Sequence, residues 1–246
     1  MTFNQETTLA LVTGASQGIG LEVSRQLAQR GMTVLLTGRN AEKTTNAANL
    51  LIAEGLNVIA KSLDVTSDDS VNALAAEVER EFGRLDVLVN NAATGFVFTE
   101  TALNADMAAV NDTFETNFFG PWRMIRAFTP LLRKSAHPRI VNVGSGGGSF
   151  SAPEGMATNR RPSLPSYGTS KLALNGLTIK LAAELKDAGI LVNSVCPGTT
   201  ASHPGMEGIP GVRTVQVGAG SIVWAAVLPD DGPTGGFFRD GQPLAW

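Results

Sequence analysis

The sequence predicts an α/β fold, a doubly wound parallel sheet with helices on both faces. Short apolar runs of strand length alternate with longer amphipathic stretches along the whole chain, and the first run ends in a glycine turn that opens a helix. Such alternation implies parallel strands joined by right-handed crossovers. Strands are predicted at Leu9–Thr13, Thr33–Thr37, Asn57–Ser62, Leu85–Asn90, Arg139–Val143 and Leu191–Cys196, each a short apolar run. Helices are predicted between them, over Gly18–Arg30 (closed by Gly31), Ala41–Glu54, Ser67–Phe82 (with Ser67 the natural cap), Asn104–Lys134 and Ser166–Ala188. A last helix is expected over Val215–Leu228, followed by a short strand near Gly236. No repeat, linker or second unit is evident, so residues 1–246 read as one domain. The glycine-rich run Gly144–Gly148 directly follows a strand and reads as a turn at the carboxyl edge of the sheet, where open α/β sheets bind ligands.

Composition sets limits. A net charge of -3 with no Lys/Arg cluster argues against a nucleic-acid partner. A single cysteine excludes an intrachain disulfide framework and fits a reducing compartment. Met1–Thr8 is polar, without the apolar core of a signal peptide, and no apolar stretch approaches the roughly 18 residues of a membrane helix. A cytoplasmic protein is the expectation.

Two motifs carry chemistry. The first, Thr13-Gly14-Ala15-Ser16-Gln17-Gly18-Ile19-Gly20, joins the first strand to the first helix. That context makes it the phosphate-binding corner of a Rossmann-type dinucleotide fold, although the same glycines would also serve a purely structural turn. Gly14 permits the turn, Gly18 allows backbone to approach pyrophosphate, and Gly20 lets helix pack on strand. Ser16, Gln17 and Ile19 are candidate cofactor contacts in the same turn. The second motif is Tyr167-Gly168-Thr169-Ser170-Lys171, which places a phenol and an ammonium on one helix face. A fixed cation beside a phenol favours the phenolate and brings its pKa towards the working range. By itself the spacing is also compatible with a half-buried Tyr above a surface Lys.

Taken together, these motifs resemble the short-chain dehydrogenase/reductase family, over nearly the whole chain from Leu9 to Gly236. Asp64-Val65, Asn90-Asn91-Ala92-Ala93, Asn117, Ser145 and Pro197-Gly198-Thr199 follow in the family's order. Within the family, Thr116–Gly120, Val141–Ser145 and the aromatic terminus Phe237–Trp246 are most similar to the carbonyl reductases. The resemblance implies a catalytic set of Asn117, Ser145, Tyr167 and Lys171. Tyr167 would be the acid and Lys171 would lower its pKa and hold the nicotinamide ribose. Ser145 would donate to the substrate oxygen, and Asn117 would hold helix backbone and a water leading to Lys171. It also implies that Asp64 and Val65 meet the adenine, that Asn91 and Ala92 line the cofactor floor, and that Thr199 and Thr200 reach the carboxamide or pyrophosphate beside Pro197 and Gly198. Asn90 is expected to serve as strand glue.

The end of the second strand points to the cofactor. An acid about 20 residues past the glycine turn would bond the ribose 2′-hydroxyl of NAD. Here Gly38 stands there with Arg39 beside it, a cation able to grip a 2′-phosphate. NADP(H) is therefore expected, and a small-molecule carbonyl substrate with it. The expected activity is reduction of a ketone or aldehyde; a non-catalytic NADP sensor and an enone C=C reductase are the alternatives.

Two departures from the family pattern stand out. The interval from Ser145 to Tyr167 is longer than in many relatives, so residues 150–165, with Arg160-Arg161, must loop out, and Ser149 becomes a rival to Ser145. Ala93 also replaces the more usual glycine and narrows the pocket, whose walls are expected to include Thr94, Gly146, Gly147, Phe150 and Met156. The Gly/Pro-rich segment 199–213 reads as a substrate lid. Cys196 reads as a buried thiol, and His137 and His203 are isolated, so no metal is expected. The long helices offer faces for a homodimer or homotetramer.

Overall fold

The predicted strands lack polar alternation because both of their faces are covered. In Leu9–Val12 (β1) every residue is buried, yet Leu9 and Leu11 join one apolar layer while Ala10 and Val12 join the other, as the two-residue period of a strand requires. The computed structural model describes residues 7–158, 162–202 and 208–246. Arg160, Arg161 and His203, singled out above, lie outside the described residues, as do parts of the 150–165 and 199–213 segments.

After β1 the chain runs through Gly18–Gln29 (α1), Thr33–Gly38 (β2), Ala41–Ala53 (α2), Val58–Ser62 (β3), Asp68–Phe82 (α3) and Val87–Asn90 (β4). The second half holds Met107–Phe114 (α4), Gly120–Leu132 (α5), Arg139–Val143 (β5), Pro165–Glu184 (α6), Leu191–Val195 (β6), Val215–Ala226 (α7), Phe237–Arg239 (β7) and Gln242–Pro243 (β8). The strands form one sheet in the order β3-β2-β1-β4-β5-β6-β7-β8, parallel except for the last pair. Helices α1, α2 and α7 pack on one face, represented by Leu27, Leu51 and Ile222. Helices α3, α5 and α6 pack on the other, represented by Val78, Phe128 and Leu181. The strand order reverses between β1 and β4, so the crossovers leave on opposite sides and open a crevice at the carboxyl ends of these two strands.

Two elements differ from the sequence reading. The single helix expected over Asn104–Lys134 is broken: α4 starts at Met107 behind an Asp106 cap, and a π-helical turn over Glu115–Phe119 separates it from α5. Pro121 supplies the reason. It has no N–H to give the Asn117 carbonyl four residues earlier, and its ring pushes that carbonyl aside, which a wider turn accommodates. The second difference is β8, which pairs back on β7 through Asp240 and Gly241 at φ 53° and 73°. An Asp-Gly pair is the sequence signal for such a two-residue hairpin turn.

The amino edge of the sheet, remote from the crevice, is fastened by a buried acid. Asp86, 5 % exposed, accepts from Leu9 N at 2.7 Å, from Arg84 Nε at 3.0 Å and from Ser135 Oγ at 2.5 Å. This one carboxylate holds the starts of β1 and β4 and the α5–β5 connection together. Removing it strands the buried Leu9 N–H and takes the acceptor from Ser135, at a cost of roughly 2–4 kcal/mol. Asp86→Ala is expected to lower the denaturation midpoint by that order while leaving ligand affinity at the opposite edge unchanged; equilibrium unfolding in urea measures the first and a titration the second.

Candidate active site

The carboxyl ends of β1 and β4 are stitched together by Thr13. Its Oγ1 accepts from Asn91 N at 2.9 Å and Ala92 N at 3.0 Å, while Asn91 Nδ2 donates to the carbonyls of Thr13 at 2.9 Å and Gly14 at 3.1 Å. Gly14 lies at φ 63°, and a Cβ there would stand 2.7 Å from Ala92 Cα. A Cβ on Gly20 would stand 2.5 Å from the Gly14 carbonyl oxygen. No other residue closes this corner so tightly.

The corner delivers the N-terminus of α1 to a cavity of about 840 Å³. Helices α2, α3, α4 and α7 are capped by the side chains of Asn40, Ser67, Asp106 and Thr214. By contrast, the α1 cap residue Gln17 makes no side-chain cap bond, and its first turn holds no acid. The N–H groups that α1 leaves uncapped suit an anion, as does the positive end of its dipole.

The cavity is lined on one side by Gly14, Ser16, Gln17, Gly18, Ile19 and Gly20, and by Gly38 and Arg39 at its far end. Asp64, Val65, Asn91, Ala92, Tyr167, Lys171 and Pro197 also line it, whereas Ser145 and Asn117 do not. Gly198, Thr199 and Thr200 do not line it: Thr200 is buried and donates to the carbonyls of Pro197 and Gly198. The Thr199 carbonyl accepts from Arg213 N at 2.8 Å, and Ser202 is the segment's residue at the cavity. The segment's own backbone pairing turns the two threonines away.

Asp64 accepts from Thr66 N at 2.9 Å and Thr66 Oγ1 at 2.7 Å. Burial alone would push its carboxyl up, but the two Thr66 bonds and the charges of Arg39 and Arg123 outweigh it and hold the group below the usual carboxylate range. Arg39 is exposed, and a Cβ at position 38 would stand 2.6 Å from Thr44 Oγ1 in the first turn of α2, an approach that glycine permits. Asn90 donates to Asn142 Oδ1 at 2.9 Å, a bond between β4 and β5.

Helix α6 brings Tyr167 and Lys171 against the end of β5. Tyr167 is hydrogen-bonded to Ser145, which also accepts from Gly147 N at 3.1 Å. Loss of water around the phenol pushes its pKa well up, and the Ser145 bond offsets only part of this. Lys171 is 1 % exposed and donates from Nζ to the Val143 carbonyl at 2.8 Å, with Nζ 5.8 Å from the Tyr167 ring centre. Burial pushes its pKa down to about 8. Desolvation is the largest influence on both groups, raising the phenol and lowering the ammonium.

Asn117 sits at the π turn, fully buried. Its Oδ1 accepts from Thr94 N at 2.9 Å, and its Nδ2 donates to Thr94 O and to Ser170 Oγ, each at 3.0 Å. The side chain thus fixes the segment after β4 to α6 rather than reaching Lys171. Ser149, the rival serine, is fully buried, donates to the Ala245 carbonyl at 2.7 Å and accepts from Ala152 N at 2.9 Å, so it anchors the loop to the C-terminal tail. Within the loop, Glu154 is ion-paired with Arg239, and Met156 packs at the start of α6. Phe150 is 56 % exposed and, like Gly146, Gly147 and Met156, does not line the cavity, whereas Ala93 and Thr94 do. Cys196 is buried and accepts from Gly146 N at 3.2 Å and Gly198 N at 3.3 Å. His137 pairs with Asp230, and no cluster of metal-ligating side chains occurs among the described residues.

Sequence reasoning missed Thr13, Phe96 and Asn175. Phe96 lines the cavity with its ring 4.5 Å from that of Tyr167. Asn175, one turn beyond Lys171, donates to the Gly148 carbonyl at 3.1 Å and accepts from Ser194 Oγ at 2.7 Å, which locks the glycine turn carrying Ser145. A Thr at a strand end and an Asn at Lys+4 were the available signals; nothing local marks Phe96.

The burial of Lys171 has a measurable consequence. Its folded pKa near 8 lies below the ordinary value near 10.4, so the unfolded chain holds the proton between these values and stability rises with pH across that window. The contribution is complete above about pH 10.4 and is lost as pH falls towards 8, a swing on the order of 3 kcal/mol. Lys171→Met is expected to raise the melting temperature at pH 7, with the advantage over the parent shrinking by pH 10. An equal difference at both pH values would contradict the assignment.

Comparison with known proteins agrees with this geometry. The family model for short chain dehydrogenases matches residues 8–208. The chain is similar to (+)-neomenthol dehydrogenase from Arabidopsis thaliana, 34 % identical over 95 % of this chain and 96 % of that protein. It is similar to human carbonyl reductase [NADPH] 3, 32 % identical over 97 % of this chain and 98 % of that protein. The crystal structure of NADPH-bound carbonyl reductase from chicken fatty liver superposes with a TM-score of 0.86 at 26 % identity, covering 98 % of this chain and 99 % of that one. With the family model spanning most of its length and relatives above 30 % identity over nearly all of it, the chain belongs to the short-chain dehydrogenase family.

Proposed function

We propose that the protein is an NADPH-dependent oxidoreductase that reduces a ketone or aldehyde to an alcohol. The observation that carries this reading is that Tyr167 and Lys171, with Ser145 bonded behind Tyr167 and outside the lining, share one cavity with Arg39 and the uncapped N-terminus of α1. The relatives named for neomenthol dehydrogenation and NADPH-linked carbonyl reduction support it.

The residues present fit a dinucleotide. The α1 N–H groups with Gly18 and Ile19 would hold the pyrophosphate, Asp64 and Val65 the adenine, and Asn91 and Ala92 the floor. Arg39, beside Gly38, would hold a 2′-phosphate by charge-assisted bonds. The chemistry that the cofactor supplies when bound is a hydride for the carbonyl carbon. Tyr167 gives its hydroxyl proton to the carbonyl oxygen, and Ser145 donates a hydrogen bond to the same oxygen as charge develops. Lys171 provides a buried cation next to the phenol, so that the phenolate left after proton transfer is stabilised. Asn117 holds the wall of the site through Thr94. In this reading the whole chain acts as one domain, with 150–165 an insertion before Tyr167 and 199–213 a substrate lid. No described helix is long and apolar enough to cross a membrane, and a cytoplasmic location is part of this reading.

The test is oxidation of NADPH and NADH, followed by loss of reduced-nicotinamide absorbance, against aldehydes, ketones, quinones and enones with product identification. Alcohol products support the reading; saturated carbonyl products would assign C=C reduction, and binding of NADPH without turnover would assign a sensor. Tyr167→Phe is expected to lower turnover by roughly 10²–10⁴, the scale of lost acid catalysis, with NADPH affinity retained. Arg39→Ala is expected to weaken NADPH by about 10–100-fold, the worth of a charged hydrogen-bond pair, and NADH far less. Equal weakening of both would remove Arg39 from phosphate recognition.

A further inference from the structure

Helix α6, which carries Tyr167 and Lys171, starts without a cap of its own. Leu164 precedes it in the left-handed region at φ 61° and provides no side-chain acceptor, although the first-turn N–H groups of a helix need partners. The acceptor comes from a distant segment. Glu100, 7 % exposed, places Oε2 3.2 Å from Ser166 N and 2.5 Å from Ser166 Oγ. A carboxylate at this position makes charge-assisted bonds and lies at the favourable end of the helix dipole. Ser166 is the residue immediately before Tyr167.

Glu100 also ends the segment that forms the near wall of the cavity. At the other end of that segment, Asn117 bonds both the N–H and the carbonyl of Thr94. Between the two anchors the chain turns tightly, with Val97 N bonded to Gly95 O and Glu100 N to Val97 O, both at 3.0 Å. Phe96 lies inside this span and stacks on Tyr167 at a 38° tilt. Phe98, two residues on, is 68 % exposed, while Gly95 packs so closely on Thr113 of α4 that a Cβ there would stand 2.7 Å from its side chain.

We propose that Glu100 is a positioning residue: its bonds to Ser166 hold Phe96 against Tyr167 as an apolar wall of the carbonyl site, which favours substrates with a bulky apolar group flanking the carbonyl. This inference rests on the reductase reading for its substrate class, whereas the anchor itself does not. Ser145, Lys171 and the cofactor floor are held by other bonds, so loss of Glu100 loosens the Glu100 end of the wall and leaves them in place.

The experiment compares Glu100→Ala, Glu100→Gln, Phe96→Ala and the double variant Glu100→Ala/Phe96→Ala with the parent enzyme on an aryl or alicyclic ketone. Glu100→Ala is expected to raise KM about tenfold, the scale of lost charged hydrogen bonds, with kcat changed far less and NADPH affinity unchanged. Glu100→Gln keeps an acceptor oxygen in the same place and is expected to recover most of the loss. In the Phe96→Ala background, Glu100→Ala is expected to add little, because the two act on one wall. A fall in kcat with unchanged KM, equal in both backgrounds, would overturn the proposal in favour of general destabilisation. Hydrogen–deuterium exchange of the parent and Glu100→Ala tests the anchor without turnover: faster exchange over residues 94–103 with none over 139–148 is expected. Unchanged exchange over 94–103 overturns the proposal even if the parent reduces no carbonyl, a result that would separately overturn the reductase reading.

Discussion

Helix α6 is buried on a face that carries polar groups, and each of them needs a partner where water is excluded. Ser166 meets Glu100, Ser170 meets Asn117, Lys171 meets the Val143 carbonyl, Asn175 meets Gly148 and Ser194, and Thr178 meets Asn142. Those partners belong to the segment after β4, the α4–α5 junction, β5, the glycine turn and β6. Satisfying one helix therefore fixes the mutual placement of most elements that contribute to the site. An apolar face would have packed as well or better, but it would not have specified which loop lies where.

The same logic in reverse explains the cofactor end. Four helices receive side-chain caps, whereas α1 has no side-chain cap and faces a cavity, and α6 is capped by a residue from elsewhere in the chain. Donors withheld from internal partners are available to a ligand's anionic groups. At the amino edge of the sheet, by contrast, Asp86 gathers its partners internally and Arg139 gives its guanidinium to the Leu228 carbonyl and to Asp230. One edge is closed upon itself for stability and the other left chemically open.

Much of this was legible in the residues. The strands could be read because a doubly covered strand is continuously apolar, as in Leu9–Val12, and α3 because Ser67 and Gly83 mark its ends. The glycine turn and the Tyr167/Lys171 pair are local patterns and stand where their spacing put them. The break at Glu115–Phe119 was marked by Pro121 and the β7–β8 hairpin by Asp240-Gly241, both local signals that amphipathic periodicity overrode. Contacts between residues far apart in sequence were not legible. Nothing near Glu100 announces Ser166, and nothing near Thr199 shows that Arg213 would pair with its backbone. The extent to which Tyr167 and Lys171 are desolvated was not legible either: spacing reports adjacency, but desolvation depends on everything packed around it.

The π turn between α4 and α5 is in effect a one-residue surplus lodged in a helix. Each residue of a regular helix advances the rotation by roughly 100°. A chain shortened by one position here would lose the wide turn that accommodates Pro121. It would also swing everything on α4 by that angle relative to α5, and Asn117 could not then face Thr94 and Ser170 together. Regularity and reactivity are thus opposed within five residues, and a change that makes this helix more ideal would be one that the site does not survive.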